Sequence, residues 1–94
     1  MDFTAVELRV CTVSAAEPSA DGRALHLALR LGPKDERHAT AHITERYGAA
    51  DLVGRQVLAV FSGPEPIVLA AVTPAAGAVL LGPDTAVPDG TLVV

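Results

Sequence analysis

The sequence predicts an all-β fold with one short helix, arranged as a five-stranded Greek-key barrel with additional short C-terminal strands. Hydrophobic residues make up 50% of the 94 positions and aromatic residues only 3%, so aliphatic side chains, which suit strands, must fill the core. Apolar and polar residues alternate with a period of two in the first half of the chain. Clusters of Gly, Pro, Asp and Ser separate the apolar runs at short intervals, as turns between strands do.

The first predicted strand is long and bent. Val6, Leu8 and Val10 alternate with charged residues, and the apolar positions then change parity at Cys11 and Val13. A β-bulge turns a strand over in this way, because it inserts one unpaired residue. We therefore expect a bulge directly after Val10.

Two further strands are predicted on either side of a turn at residues 32–36. Leucine occupies every second position of the first strand from Leu25 onward, and small apolar residues alternate with polar ones in the second. Folding the strands back across the turn predicts a register that places Leu25 opposite Ile43 and His26 opposite His42. This register gathers hydrogen-bonding and basic side chains on one exposed face, namely His26, Arg30, His38, Thr40 and His42.

A short helix is predicted where the alternation stops, between residues 45 and 54. Ala49, Ala50 and Leu52 favour one or two helical turns, and Gly54 is a natural stop. Strands are then predicted at 56–61, 66–72, 78–81 and 91–94, the first two of them apolar enough to be covered on both faces. Three strands, a helix and two strands follow one another in an OB-fold barrel, which leaves the last strands as additions.

Charge and composition favour one domain over residues 1–94. The net charge is −4, and all seven basic residues lie at or before Arg55, so charge alone argues against RNA binding. The chain has no long apolar run and no secretory signal at its start, and its single cysteine, Cys11, has no internal partner. These observations predict a cytoplasmic protein in which Cys11 packs as a small apolar residue.

No residue pattern points to an enzyme, a metal site or a cofactor. Carboxylates are dispersed among loops, no Gly-rich loop precedes a helix, and no Ser, His and Asp arrangement emerges on neighbouring strands. His38 and His42 lie four residues apart, which in a strand is about 13 Å and too far for one metal. His26 with His42 would supply only two ligands. We therefore expect a binding module.

Several segments, taken in order, carry a family resemblance. They are DF at residues 2–3, VELRV at 6–10, TERY at 44–47, LVGRQV at 52–57, PD at 83–84 and VPDG at 87–90. In this order they resemble the CsaA-like tRNA-binding domain, an OB-fold family similar to the C-terminal tRNA-binding domains of some methionyl-tRNA synthetases. The resemblance implies a dimer that binds tRNA and acts like a chaperone.

The resemblance also implies where RNA would bind. Arg9 matches the family's first-strand arginine, residues 40–44 match a segment that lines the binding face, and Arg46 matches a basic position before the tyrosine. The implied RNA-binding set is Arg9, Arg30, Arg37, Thr40, His42 and Arg46. The loop between the fourth and fifth strands departs from the family, because its basic pair is replaced by Pro66 and Ile67 and Glu65 adds a negative charge.

Three functional hypotheses follow. The first is a dimeric module that binds tRNA or structured RNA, weakly because of that loop. The second is a chaperone-like dimer that binds unfolded polypeptide, and the third is a diverged module that only dimerises. Apolar residues predicted to form the dimer contact or a hydrophobic groove are Ile67, Leu69, Val72, Leu92 and Val93.

Overall fold

The computed structural model of the protein describes residues 7–44 and 46–94. Val6 at the start of the predicted first strand, Asp2 and Phe3 of the first motif and Glu45 of the TERY motif lie outside these residues. The described residues form the strands β1 (Leu8–Pro18), β2 (Leu25–Gly32), β3 (Asp35–Ala41), β4 (Gln56–Val60), β5 (Ile67–Val68), β6 (Ala70–Thr73) and β7 (Gly77–Leu80), and the helix α1 (Ala49–Leu52).

Strands β1 to β5 form one curled antiparallel sheet. Their order is β3-β2-β1-β4-β5, and α1 joins β3 to β4. The loop before β5 also reaches the far edge of the sheet, because the Thr40 N–H on β3 donates a hydrogen bond of 3.0 Å to the Glu65 carboxylate. This is the OB-type half-barrel that the sequence predicts. Outside it, β6 and β7 form a separate hairpin, in which β7 corresponds to the added strand predicted at 78–81 while β6 lies in the segment predicted as the fifth strand of the barrel.

The predicted register between β2 and β3 is wrong by two residues. Leu25 lies opposite Ala41 rather than Ile43, and His26 lies opposite Thr40 rather than His42. The turn is tighter than the five residues predicted, since β3 already begins at Asp35. Because the error is an even number of residues, the inward and outward faces are still those predicted.

The bulge in β1 also lies elsewhere. The register with β2 shifts between Val13 and Ala15, not after Val10. From Leu8 to Val13 side chains on both faces of β1 are mostly buried. The change of apolar parity in the sequence therefore reflects cover on both faces rather than a bulge at that point.

Helix α1 confirms the predicted short helix. The Gly48 N–H before it donates 2.9 Å to the Asp51 carboxylate, and Leu52 is fully buried. The chain turns away at Gly54, which has a φ of 92°. The Gly54 N–H then donates to the Val13 carbonyl, and the Val13 N–H donates to the Arg55 carbonyl, so the segment after the helix is fixed to β1.

The predicted strand at 66–72 is wrong as a single, doubly covered strand. It is divided at Leu69, whose N–H donates to the Leu58 carbonyl while its own carbonyl accepts from the Leu81 N–H. Ile67 is 64% exposed and Val72 is 78% exposed, so one side of this run is open in the single chain. The predicted strand at 91–94 is reduced to an isolated bridge to β1.

Cys11 packs in the main core, as predicted. Its side chain is fully buried, and its Sγ lies 3.7 Å from the Val57 carbonyl oxygen. Burial, together with the negative charge of Asp89, raises the pKa of the Cys11 thiol to about 11. The thiol is therefore protonated at neutral pH and a poor nucleophile.

Candidate nucleic-acid interface

The outward face of β2 and β3 forms a shallow shelf whose surface is mainly apolar but carries several polar side chains. Its cavity of about 580 Å³ is lined in part by His26, His38, Thr40 and Glu65. His26 Nδ1 lies 3.2 Å from Thr40 Oγ1, because the observed register places these residues opposite each other. The shelf thus presents two imidazoles and a hydroxyl to solvent, which are groups able to hydrogen-bond to phosphate, sugar or base edges.

His42 does not lie on this shelf. It follows the end of β3 and lines a second, mainly apolar groove of about 820 Å³, hereafter the apolar groove. Thr40 lines both cavities and so marks where the shelf and the groove meet. The predicted pairing of His26 with His42 therefore gives way to a pairing of His26 with Thr40.

Arg30 is engaged by Asp89. The Arg30 Nε donates 3.0 Å to one Asp89 oxygen, while the other oxygen accepts from the Thr12 hydroxyl and, at 3.4 Å, from the Gln56 amide. Burial by itself would raise the pKa of Asp89, but the hydrogen bonds from Thr12, Arg30 and Gln56 and the Arg30 charge together lower it. Asp89 is thus an ionised centre that ties the C-terminal segment to β1, β2 and β4.

Arg9 also binds the C-terminal segment. Its Nη1 donates 2.8 Å to the Gly90 carbonyl, and its Nε donates 2.7 Å to the Glu7 carboxylate. Gly90 has a φ of 84°, and a Cβ at this position would lie 2.6 Å from the Leu31 carbonyl oxygen. Glycine is therefore required for the backbone to approach β2 and present its carbonyl to Arg9.

Arg37 lies near Arg9. Both line a cavity of about 310 Å³, hereafter the Arg9 cavity, which is also lined by the carboxylate residues Glu7, Asp35 and Asp89. Arg37 Nε donates 3.0 Å to Asp35, and its guanidinium carbon lies 6.0 Å from the Phe61 ring centre. The two arginines are brought together, but each is paired with a carboxylate.

Arg46 lies beside Tyr47, together with an arginine that the sequence did not suggest. The guanidinium carbons of Arg46 and Arg55 lie 5.9 Å and 5.5 Å from the Tyr47 ring centre. The Tyr47 hydroxyl accepts a hydrogen bond of 3.0 Å from the Leu80 N–H. Burial alone would raise the pKa of Tyr47, but this bond, a hydrogen bond with Arg46 and the charges of Arg55 and Arg46 lower it overall.

The six residues of the implied RNA-binding set are therefore distributed over three places. Arg9, Arg37 and the Asp89 partner Arg30 form one group, Thr40 and His42 both line the apolar groove, and Arg46 lies beside Tyr47. Sequence reasoning missed Asp89, Gly90 and Arg55. The VPDG motif at 87–90 was a signal for the first two, although only as a turn, and the LVGRQV motif contained Arg55.

The apolar groove brings together three of the five residues predicted for a dimer contact. Ile67, Leu69 and Val72 line it. Leu92 and Val93 do not, because Leu92 bridges to Arg9 and the Val93 N–H donates to the Leu8 carbonyl.

Neither a metal cluster nor a membrane helix is found where the chain is described. Residues 7–44 and 46–94 contain no group of three or more His, Cys, Asp or Glu side chains arranged to hold a metal ion. Within the same ranges, no helix has the length and apolar character needed to cross a membrane.

Two solved chaperone structures match the fold over nearly its full length. The chaperone CsaA from Bacillus anthracis str. Ames has a TM-score of 0.89 and 34% sequence identity, covering 99% of this chain and 94% of its own. The CsaA chaperone protein from Picrophilus torridus has a TM-score of 0.85 and 25% identity, covering 99% and 95%. No protein-family model matches the chain.

Other similarities involve methionyl-tRNA synthetase. A MetRS related protein from Pyrococcus horikoshii shares the fold, with a TM-score of 0.83 and 22% identity over 98% of this chain and 93% of that one. Methionine–tRNA ligases from two strains of Acidithiobacillus ferrooxidans are 37% identical over 103 residues, which include 98% of this chain. The chain spans only 15% of the length of those ligases.

These similarities agree with the expectation that the chain is not an enzyme. The ligases match it over only a small part of their length, whereas chaperones match it almost from end to end. With 34% identity to a CsaA structure of which it covers 94%, the chain belongs to the CsaA family.

Proposed function

We propose that this chain is a weak tRNA-binding module that recognises structured RNA by shape and backbone and acts as a homodimer. The observation that carries the proposal is that 98% of the chain is similar to a short part of two methionine–tRNA ligases, enzymes whose names state that they act on tRNA. The sheet order and the polar side chains of the shelf support it. In OB-folds the face around the second and third strands binds oligonucleotides, and here that face carries the shelf.

The charges of the described residues support weak rather than tight binding. Arg9, Arg30 and Arg37 each donate to a carboxylate at 2.7–3.0 Å. A phosphate must compete with that carboxylate, so each of these arginines contributes less than a free cation does. If only two to four cations reach the RNA, the logarithm of affinity should fall with the logarithm of salt concentration with a slope of roughly −2 to −3.

The test is a titration of labelled total tRNA with the protein at two salt concentrations. We expect binding that weakens at the higher salt with this shallow slope. A single-stranded homopolymer of equal length should bind less tightly, because shape rather than base identity is recognised. Absence of salt-sensitive tRNA binding at high micromolar protein would refute the proposal.

A second candidate function is the capture of unfolded polypeptide, and the apolar groove is the specific observation in its favour. The groove has a volume of about 820 Å³, and Ile67 and Val72 on its wall are 64% and 78% exposed. Contiguous apolar surface of this kind is typical of interaction sites. Two relatives are named as chaperones, which agrees with this reading.

The homodimer is proposed to use the same groove. Light scattering at micromolar concentration should then give twice the mass of one chain, and Ile67→Ser with Val72→Ser should give a monomer. If the variant instead remains dimeric but no longer suppresses the aggregation of an unfolded client, the groove binds polypeptide and the dimer forms elsewhere. A dimer that binds neither tRNA nor client would leave the third hypothesis, a module that only dimerises.

A further inference from the structure

We propose that Arg46 and Arg55, held around Tyr47, form a site for the phosphate groups of an RNA backbone, separate from the shelf on β2 and β3. This inference rests on the proposed function and deepens it, because it names where the backbone is held. It also adds Arg55 to the residues implied by the family resemblance.

The first argument is the distribution of ion pairs. Among the residues that the structure describes, Arg9, Arg30 and Arg37 each have a carboxylate within 3.0 Å, and His38 has one at 3.9 Å. Within those same residues, neither Arg46 nor Arg55 has a carboxylate within 4.0 Å. A phosphate therefore meets these two guanidinium groups without displacing a described carboxylate.

The second argument is the way the two arginines are held. Arg46 lies before α1 and Arg55 lies after it, and the guanidinium carbon of each is within cation–π distance of the Tyr47 ring. The ring is buried and its hydroxyl is fixed by the Leu80 N–H. Side chains that are already positioned lose less conformational entropy when a ligand binds, so the pair is preorganised for an anion.

The third argument is the cleft that Arg55 lines. This cleft, hereafter the Arg55 cleft, has a volume of about 460 Å³ and is also lined by Gln56, Leu80, Gly82 and other residues. None of the described residues that line it is Asp or Glu. The Arg9 cavity, by contrast, has three carboxylate residues on its wall, so the two places differ in local charge although both contain arginine.

The lowered pKa of Tyr47 agrees with this geometry. The phenolate form is favoured by positive charge nearby, and the charges of Arg55 and Arg46 contribute to the shift against the opposing effect of burial. An anion bound by both arginines would offset that charge and raise the Tyr47 pKa again. Tyr47 is therefore a reporter of occupancy.

The chain is well suited to this measurement, because it contains one tyrosine and no tryptophan. The Tyr47 phenol is titrated by its phenolate absorbance, with and without a short inorganic polyphosphate, which carries phosphate groups but no bases. We expect the polyphosphate to raise the Tyr47 pKa, and sodium chloride at equal ionic strength to raise it less. Arg46→Gln and Arg55→Gln should each weaken the response.

The matched control is Arg23→Gln, which removes the same charge from an exposed position in the loop between β1 and β2. It should leave the polyphosphate response unchanged. A Tyr47 pKa that responds equally to polyphosphate and to chloride, or that responds equally in Arg23→Gln and Arg55→Gln, would overturn the inference.

Binding of labelled tRNA then tests the link to RNA. We expect Arg55→Gln to reduce affinity roughly tenfold at low salt, and to make the salt slope shallower by about 1. If wild-type protein binds tRNA and Arg55→Gln binds it equally well with the same slope, the inference fails while the proposed function stands. If wild-type protein does not bind tRNA, the proposed function fails, and the phosphate site is decided by the tyrosine titration alone.

Discussion

The Arg9 cavity and the surroundings of the Tyr47 ring both contain arginine, but the arginines make different contacts in the two places. In the Arg9 cavity, Arg9 and Arg37 are bonded to carboxylates, and Arg9 also holds the Gly90 carbonyl. Around Tyr47, Arg46 and Arg55 contact the aromatic ring and no described carboxylate. The difference teaches that an arginine matching a family motif can stabilise the fold, while an arginine outside the expected set is available to a ligand.

The largest expected effect on stability is at Gly90, which lines the Arg9 cavity. Gly90→Ala combines a left-handed backbone with a Cβ placed 2.6 Å from the Leu31 carbonyl oxygen, and should reduce the free energy of unfolding by about 3 kcal/mol. Urea denaturation measures the loss. Gly22→Ala is the control, since Gly22 also has a positive φ, of 72°, but has no atom within 4 Å of the added Cβ. It should cost only about 1 kcal/mol, and equal losses in both variants would mean that the approach to Leu31 is not tight.

Asp89 gives the next largest effect. Asp89→Asn removes the charge that Arg30 and the Thr12 hydroxyl contact, so we expect a loss of about 2 kcal/mol in the free energy of unfolding. The tRNA affinity should nevertheless rise, because Arg30 loses its competing carboxylate. A fall in affinity greater than the change in stability explains would show that the Arg30 and Asp89 pair itself contacts RNA.

The contribution of Asp89 should also make the free energy of unfolding depend on pH. Because the pKa of Asp89 is lowered in the folded protein, the unfolded chain binds its proton first as the pH falls. The stabilisation by ionised Asp89 is then fully present above the ordinary aspartate pKa of about 4, and is lost as the pH falls below that value through the folded pKa. Comparing wild-type protein with Asp89→Asn by urea denaturation should give a constant difference above about pH 5 and a shrinking one below. If the difference in the free energy of unfolding persists at acid pH, the effect of Asp89→Asn comes from a change in side-chain shape rather than from the loss of charge.

The smallest expected change in stability compares two arginines directly. Arg9→Gln should cost about 1 kcal/mol, since it weakens bonds to Gly90 and Glu7 that are partly exposed. Arg55→Gln should cost about 0.5 kcal/mol, because only a cation–π contact is lost. In tRNA binding the order should reverse, with Arg55→Gln the more damaging. If Arg9→Gln is the more damaging variant in both stability and tRNA binding, the proposed distinction between a structural Arg9 and a ligand-binding Arg55 is wrong.

Most of the fold could be predicted from the sequence, because alternation and turn residues are local signals. The alternating leucines from Leu25 gave the correct inward face of β2, and residues 49–52 gave the helix. The register could not be predicted, since it depends on how tightly the chain turns before Asp35. The division of the strand at 66–72 at Leu69 could not be predicted either, because it depends on hydrogen bonds to β4 and to Leu81.

The candidate site was less predictable than the fold. Thr40 was placed correctly on an exposed face by parity alone. The engagement of Arg9 by Gly90 joins residues 81 positions apart, and the sharing of the Tyr47 ring by Arg46 and Arg55 spans a helix. Neither contact leaves a local pattern in the sequence. A family motif could therefore identify Arg9 but not its hydrogen bond to the Gly90 carbonyl.

The bonding of residues 90–93 to the first half of β1 bears on how the protein is made. Gly90 and Val93 donate to the carbonyls of Val10 and Leu8, and Val10 donates to the Thr91 carbonyl. During synthesis on the ribosome, β1 and β2 can pair early. The hydrogen-bonding partners of this stretch of β1, however, are translated some eighty positions later. Until then it is an open strand edge, which other chains can join. A nascent chain arrested before Gly90 should therefore associate with itself more readily than the finished protein.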